Sequence, residues 1–200
     1  MPPPYRKPFF QSPAPRCQAS ATTSESDTLL FNFVISAVFP ALVIVAALRD
    51  TTTMTIPNWL CGLGAVLFIP VIFAAGLSPA AAGTALAVGL AALVAGIAMF
   101  SVGWIGGGDA KLFAVCGLWL GWREALPFVV WTAIAGGALA VALLGLRKLV
   151  LAWPPKGPSW WNRLMTPGGD VPYGIAIALG ALATFPESPV MQALQISRIN

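Results

Sequence analysis

An all-α, polytopic membrane protein with about six transmembrane helices is the fold class this sequence predicts, and three observations predict it. Only 9% of the 200 residues are charged, 58% are hydrophobic, and the mean hydropathy is +0.81. A soluble domain carries about 25% charged residues, so a water-facing globule of this composition would have to cover its surface with apolar side chains. From Leu29 onward the apolar residues come in long runs broken by short polar junctions. Those runs show no period-2 alternation, which disfavours a barrel and leaves the helix as the structure that satisfies its own backbone in lipid.

Taken in order, residues 1–28 form a separate segment. Six prolines (Pro2, Pro3, Pro4, Pro8, Pro13, Pro15) and a Ser/Thr-rich stretch give it no apolar run, so a disordered tail is expected, without the apolar core of a secretory signal. Residues 29–200 are expected to form the membrane-embedded domain. Run one, Leu29 to Leu48, is long enough to cross a hydrocarbon core of about 30 Å at about 1.5 Å per residue. Run two is Ile56 to Leu77 and run three Pro79 to Ser101. Run four, Leu112 to Trp122, is short, run five is Ala125 to Leu146, and run six, Val171 to Phe185, is again short. Runs four and six have the length of re-entrant segments, but Trp119 and Trp122 favour an interfacial stop for run four, so six spans are expected. Small residues crowd positions 80–98 and 133–140, as close helix packing requires. The stretch Trp153 to Met165 mixes Trp153, Trp160 and Trp161 with Lys156 and Arg163. That pattern suits the headgroup region between spans five and six, and an ordinary polar loop fits it equally well.

Two features narrow the chemistry. The chain has no histidine, which excludes Ser-His and Cys-His nucleophile pairs and histidine metal sites. Its three cysteines, Cys17, Cys61 and Cys116, are far apart and odd in number, so no disulfide framework and no metal site is expected. The eleven basic residues give a net charge of +4 but form no patch, so nucleic acid is not an expected partner and the bilayer is. Catalysis, if present, rests on carboxylates, lysine, tyrosine or hydroxyls.

The carboxylates stand at run boundaries. Apart from Glu25 and Asp27 in the tail, the acidic residues are Asp50, Asp109, Glu124, Asp170 and Glu187. Asp50 follows span one; spans two and three carry the chain across and back, so Asp109 lies on the same side as Asp50. Asp170 joins them if runs four and five both cross. That face also collects Arg49, Lys111, Arg147, Lys148, Lys156 and Arg163, against Arg123 and Arg198 opposite. Arg6, Lys7 and Arg16 of the tail also fall opposite but stand too far from span one to weigh, so the Asp50 face is expected to be cytoplasmic by the positive-inside rule. Two neighbouring carboxylates share one proton, so one accepts a proton from water while the other donates to a developing oxyanion. Boundary aspartates that are simply solvated helix ends remain an alternative at this point. Gly106-Gly107-Gly108 before Asp109 adds to the case: capping explains an aspartate at a helix start, whereas three glycines admit unusual backbone angles and a closely approaching substrate strand. Pro167-Gly168-Gly169-Asp170 is a second glycine-aspartate cluster, and on the residues alone it rivals the first.

Gly106-x-Gly108-Asp109 followed by Ala110-Lys111-Leu112 resembles the GxGD motif of the type IV prepilin peptidases, a family of membrane-embedded aspartic proteases. Asp50, followed after five residues by Ile56-Pro57-Asn58, resembles that family's first catalytic aspartate and the Ile-Pro-Asn beyond it. Val171-Pro172-Tyr173-Gly174-Ile175-Ala176 is similar to a stretch that opens the last helix of the family. The resemblance spans roughly residues 29–185. It implies a peptidase without cofactor that removes the basic leader of prepilins or pseudopilins, ahead of their apolar helix, at the cytoplasmic face of a bacterial inner membrane. Carried over by position, Asp50 and Asp109 are its catalytic pair. Gly106, Gly108, Pro57 and Asn58 are expected to shape the site, Lys111 is a substrate-contact candidate for which snorkelling toward headgroups is the favoured reading, and Asp170 takes a structural or substrate-contacting role.

Longer members of that family carry an N-terminal cytoplasmic domain with paired cysteines and methylate the new pilin N-terminus. This chain resembles the short, peptidase-only branch associated with tight-adherence (Flp-type) pili, so no methyl transfer is expected. Thr51-Thr52-Thr53-Met54-Thr55 stands where basic residues are common in the family. Two other classes compete: an inactive assembly factor that recognises leaders, and a carboxylate-based transporter. Transport would favour midplane ionisable groups and inverted repeats, which the sequence does not display. Ser101 with Lys111 lacks any context for a Ser-Lys pair.

Overall fold

A computed structural model of the chain describes residues 19–152, 158–166, 168–169 and 171–196. Among these residues the regular structure is helical: α1 (Ala19–Thr53), α2 (Asn58–Ala74), α3 (Pro79–Ser101), α4 (Gly107–Ala152), α5 (Ser159–Leu164), α6 (Tyr173–Thr184) and α7 (Pro189–Ile196), with a 3-10 turn at Phe185–Glu187. The segment expected as a tail lies outside the described residues up to position 18, and residues 19–28 are the first turns of α1.

Four helical stretches are long and apolar enough to cross a membrane: Leu30–Thr53, Pro79–Ser101, Gly107–Leu149 and Tyr173–Gln195. Asn58–Ala74 is a shorter apolar helix. The long α4 is two antiparallel arms. At Gly121 the backbone takes φ 70° and ψ −172°, and beyond it the Phe128 ring stacks on Phe113 at 4.9 Å between centroids. Fifteen residues along a straight helix would separate those rings by about 22 Å, so the chain reverses there. Residues 107–120 and 122–152 are therefore two segments, corresponding to runs four and five, and six apolar segments run between two ends of the bundle.

The end opposite Asp50 holds an aromatic core. Phe39 stacks on Trp119 at 5.2 Å and meets Phe185 at 4.8 Å, while Phe68 sits edge-on to Trp119 at 5.5 Å. Trp119 is fully buried, and its Nε1–H donates to the Gly64 carbonyl at 2.9 Å. Trp119 is thus a core residue rather than the interfacial anchor its position suggested; Trp122, one residue past the turn, is 75% exposed. An indole reaches the core because the carbonyl satisfies its single donor.

Small residues bring the helices together. A Cβ on Gly96 would lie 3.0 Å from Ala110 Cβ, and one on Gly89 would lie 2.9 Å from Leu118 Cβ, so α3 packs closely along the first arm of α4. A second, smaller cluster of Leu143, Leu164 and Met165, joined by Met54, Trp161 and Val171, docks α5 and its flanks onto the Asp50 end. There Arg163 Nη1–H donates to the Thr53 carbonyl at 3.2 Å. The Trp160–Met165 part of the tryptophan-rich stretch is thus docked on the bundle end, while Trp153 and Lys156 lie outside the described residues.

Candidate active site

Among the described residues, the element ends that the sequence placed on one face meet at the Asp50 end of the bundle. Asp50 lies one turn before the end of α1, its carbonyl accepting the Met54 N–H at 2.8 Å. Its side chain is buried, 5% exposed, and its Oδ2 accepts the Gly174 N–H at 2.8 Å. Gly174 is in the first turn of α6, where N–H groups lack partners within their own helix, so Asp50 supplies from another helix what a capping residue supplies from its own. A Cβ on Gly174 would lie 2.8 Å from that oxygen, which is why this position in the Val171–Ala176 stretch holds glycine.

Asp109 occupies the first turn of α4, as expected for a carboxylate favoured by the helix dipole. It is 9% exposed, interacts with the Gly106 backbone N–H, and lies close enough to Asp50 for the two carboxyls to repel each other. Its Oδ1 is buried and has no hydrogen-bond partner among the described residues. The glycines before it serve close approach rather than unusual angles, since neither Gly106 nor Gly108 has a positive φ. A Cβ on Gly106 would press on Asp109 Oδ2 at 3.0 Å, and one on Gly108 would lie 3.0 Å from Ile56 Cβ and 3.2 Å from its backbone nitrogen.

The Ile-Pro-Asn segment meets the start of α4 directly. Pro57, extended at φ −69° and ψ 141°, precedes the first residue of α2. Asn58 Oδ1 accepts the Lys111 Nζ–H at 2.6 Å, so Lys111 ties α2 to α4 besides reaching solvent. Ser101 Oγ donates to the Ala98 carbonyl at 2.7 Å, apart from Lys111. The hydroxyls of Thr51, Thr52 and Thr53 bond back to carbonyls one turn earlier in α1. Asp170 lies outside the described residues. Its neighbour Gly169 is at this end of the bundle, its carbonyl accepting the Arg147 Nη1–H at 2.8 Å.

Sequence reasoning missed two residues. Gly174 was noted only as part of a recurring stretch, and its bond to Asp50 joins positions 124 apart. Arg147 was counted only for membrane orientation, yet it is 5% exposed and its Nε–H also donates to the Leu164 carbonyl at 2.9 Å, fastening the segment that leads into α6. Among the described residues no group of three or more His, Cys, Asp or Glu side chains is placed to hold a metal ion.

A buried carboxyl pair flanked by backbone N–H donors suits proton transfer to and from a bound water. A model of the type IV leader peptidase family matches residues 37–141, a stretch that contains Asp50, Pro57, Asn58, Gly106, Gly108, Asp109 and Lys111. A prepilin leader peptidase/N-methyltransferase of Bacillus subtilis (strain 168) is 30% identical over 154 residues, covering 75% of this chain and 54% of that protein. The chain thus spans about half the length of that relative. No solved structure matches it. With more than half of its length matched by the family model, and with the matched stretch holding both aspartates, this chain belongs to the type IV leader peptidase family.

Proposed function

We propose that this chain is a membrane-embedded aspartic endopeptidase that cleaves the basic leader from prepilins or pseudopilins at the cytoplasmic face of a bacterial inner membrane, with Asp50 and Asp109 as its catalytic pair. The observation that carries this reading is that Asp50 on α1 and Asp109 on α4 are both buried at one end of the bundle, near enough for the charge of Asp50 to act on Asp109. Such a pair shares one proton. Asp50, held by the Gly174 N–H, is suited to be the ionised member that takes a proton from water as its oxygen attacks the scissile carbonyl carbon. Asp109, whose Oδ1 has no partner among the described residues, is suited to give its proton to the oxyanion. The carbon–nitrogen bond then breaks, the amine leaves with the proton held by Asp50, and Asp109 recovers its own from the collapsing intermediate.

The excess of Lys and Arg on the Asp50 side of the bundle supports the cytoplasmic orientation. We assign substrates of the Flp-type pilus class by the resemblance of the motif set. Methyl transfer is not expected, by the resemblance of the chain to the short, peptidase-only branch. Asp170 is assigned a substrate-contacting role, apart from the chemistry.

Co-expression with a candidate prepilin tests the whole reading through the size shift of the substrate. Wild type and Asp170→Asn cleave it, whereas Asp50→Asn and Asp109→Asn, which keep size and remove the titrating group, insert and do not cleave. A wild type that recognises prepilins but cuts none would instead mark an inactive assembly factor. Mass spectrometry of the product after supply of a methyl donor checks that the new N-terminus is unmethylated.

A further inference from the structure

α2 and α3 are joined only by residues 75–78, yet both pack against α4 and barely touch one another. Between them lies a lateral groove of about 360 Å³. Gly62 and Ala65 line it from α2, and Leu86, Leu90 and Leu93 from α3. These residues recur at three- and four-residue spacing, so each helix presents one continuous face. The floor is the first arm of α4, through Ala114 and Leu118. Only two polar side chains line the groove, Asn58 and Lys111, and they stand together at the end next to Asp109.

An apolar trough with an ammonium and an amide at one end matches one kind of molecule in a bilayer. Hydrocarbon fits the trough. The Lys111 ammonium has three N–H donors, of which the bond to Asn58 uses one, leaving two for an anion. We propose that this groove is a binding site for an anionic phospholipid, with an acyl chain between α2 and α3 and the headgroup phosphate on Lys111. The charge at the mouth decides between this occupant and the apolar helix of a leader-bearing substrate. Lys111 lines the groove and Asp109 does not, so a cationic leader lying here would meet Lys111 as a like charge, which disfavours it, whereas a phosphate gains a charge-assisted hydrogen bond. Lysines near anionic lipid contribute about 1 kcal/mol each, equivalent to a preference of about fivefold. The groove and its Lys111 mouth do not depend on the peptidase reading; the comparison with a leader-bearing substrate rests on it.

The test is native mass spectrometry of the full chain released from nanodiscs containing equal amounts of phosphatidylglycerol and phosphatidylcholine. Wild type retains phosphatidylglycerol about fivefold over phosphatidylcholine. Lys111→Gln brings the two lipids to parity, whereas Lys148→Gln, an exposed cation outside the groove, leaves the preference intact. Gly62→Leu is the second variant: Gly62 lines the groove and a Cβ there meets nothing within 4 Å, so the larger side chain narrows the groove and lowers retention of phosphatidylglycerol, with an unchanged unfolding temperature in detergent showing that the fold is kept. Equal retention of both lipids by wild type, or unchanged retention in both Lys111→Gln and Gly62→Leu, overturns the proposal. So does a wild type free of lipid whose Gly62→Cys variant cross-links to the apolar helix of a prepilin, for the groove then belongs to a protein.

Discussion

At the scale of single residues, the site depends on backbone donors placed by glycine. Gly174→Ala sets two effects against each other. Alanine in a helix is favoured over glycine by about 1 kcal/mol, but its Cβ would stand 2.8 Å from Asp50 Oδ2. The carboxyl must move, and a displacement of about 1 Å at a reacting group lowers rates by about a hundredfold. Asp50 Cβ would stand at 2.9 Å as well, so Gly174→Ala is expected to lower stability by about 1–3 kcal/mol and to cleave prepilin about a hundredfold more slowly; comparing thermal unfolding in detergent with cleavage rate checks both halves. The proposed carboxyl pair implies a pH dependence. In acid both members are protonated and no base remains; in alkali both are ionised and no acid remains. Cleavage by the reconstituted protein is expected to follow a bell-shaped pH profile whose two limbs belong to the pair jointly. A profile with a single limb would count against the pair.

At the scale of elements, the reversal at Gly121 determines what α4 can do. Its φ of 70° with ψ of −172° lies in a region almost confined to glycine, where other residues incur about 1–3 kcal/mol. A Cβ there would also press on Pro189 Cγ at 3.1 Å. Gly121→Ala is expected to lower stability by about 1–3 kcal/mol, read as a fall in unfolding temperature in detergent. The first arm, residues 107–120, rises about 21 Å, short of a hydrocarbon core of about 30 Å. This is why run four looked too short for a span. At the arm's other end, Gly108→Ala would press on the backbone of Ile56, which has no rotamer to yield. Loss of about 1–3 kcal/mol is expected there too, with weakened cleavage because Asp109 follows in the same turn.

For the molecule as a whole, the packing of α6 against the second arm of α4 joins the site to the rest of the bundle. At Gly180 a Cβ would overlap the Thr132 hydroxyl and lie 2.8 Å from the Thr132 backbone nitrogen. Gly180→Ala is expected to destabilise the fold by about 1–3 kcal/mol and to reduce cleavage, since α6 also presents Gly174 to Asp50. Gly137→Ala is the matched control. Nothing lies within 4 Å of a Cβ at Gly137, so this variant is expected to keep activity and gain up to about 1 kcal/mol. Thermal unfolding and prepilin cleavage of the pair distinguish close packing from a general intolerance of alanine.

What the sequence determined by itself is what depends on composition, run length and parity. Too few charges for a water-facing surface called for a bilayer, the polar junctions marked the helix ends, and two crossings after Asp50 brought the chain back to the same end at Asp109. The start of α4 at the glycines was legible too, because dipole and capping preferences act within one turn. The tertiary structure alone decided which groups touch. Asp50 meets Gly174 across 124 positions and Lys111 meets Asn58 across 53. Trp119 is interior because Gly64, 55 positions away, offers its indole a carbonyl. Such pairings leave no local trace, since burial and hydrogen bonding are properties of the neighbours a residue acquires when the helices pack, and the periodicity of one helix cannot name them.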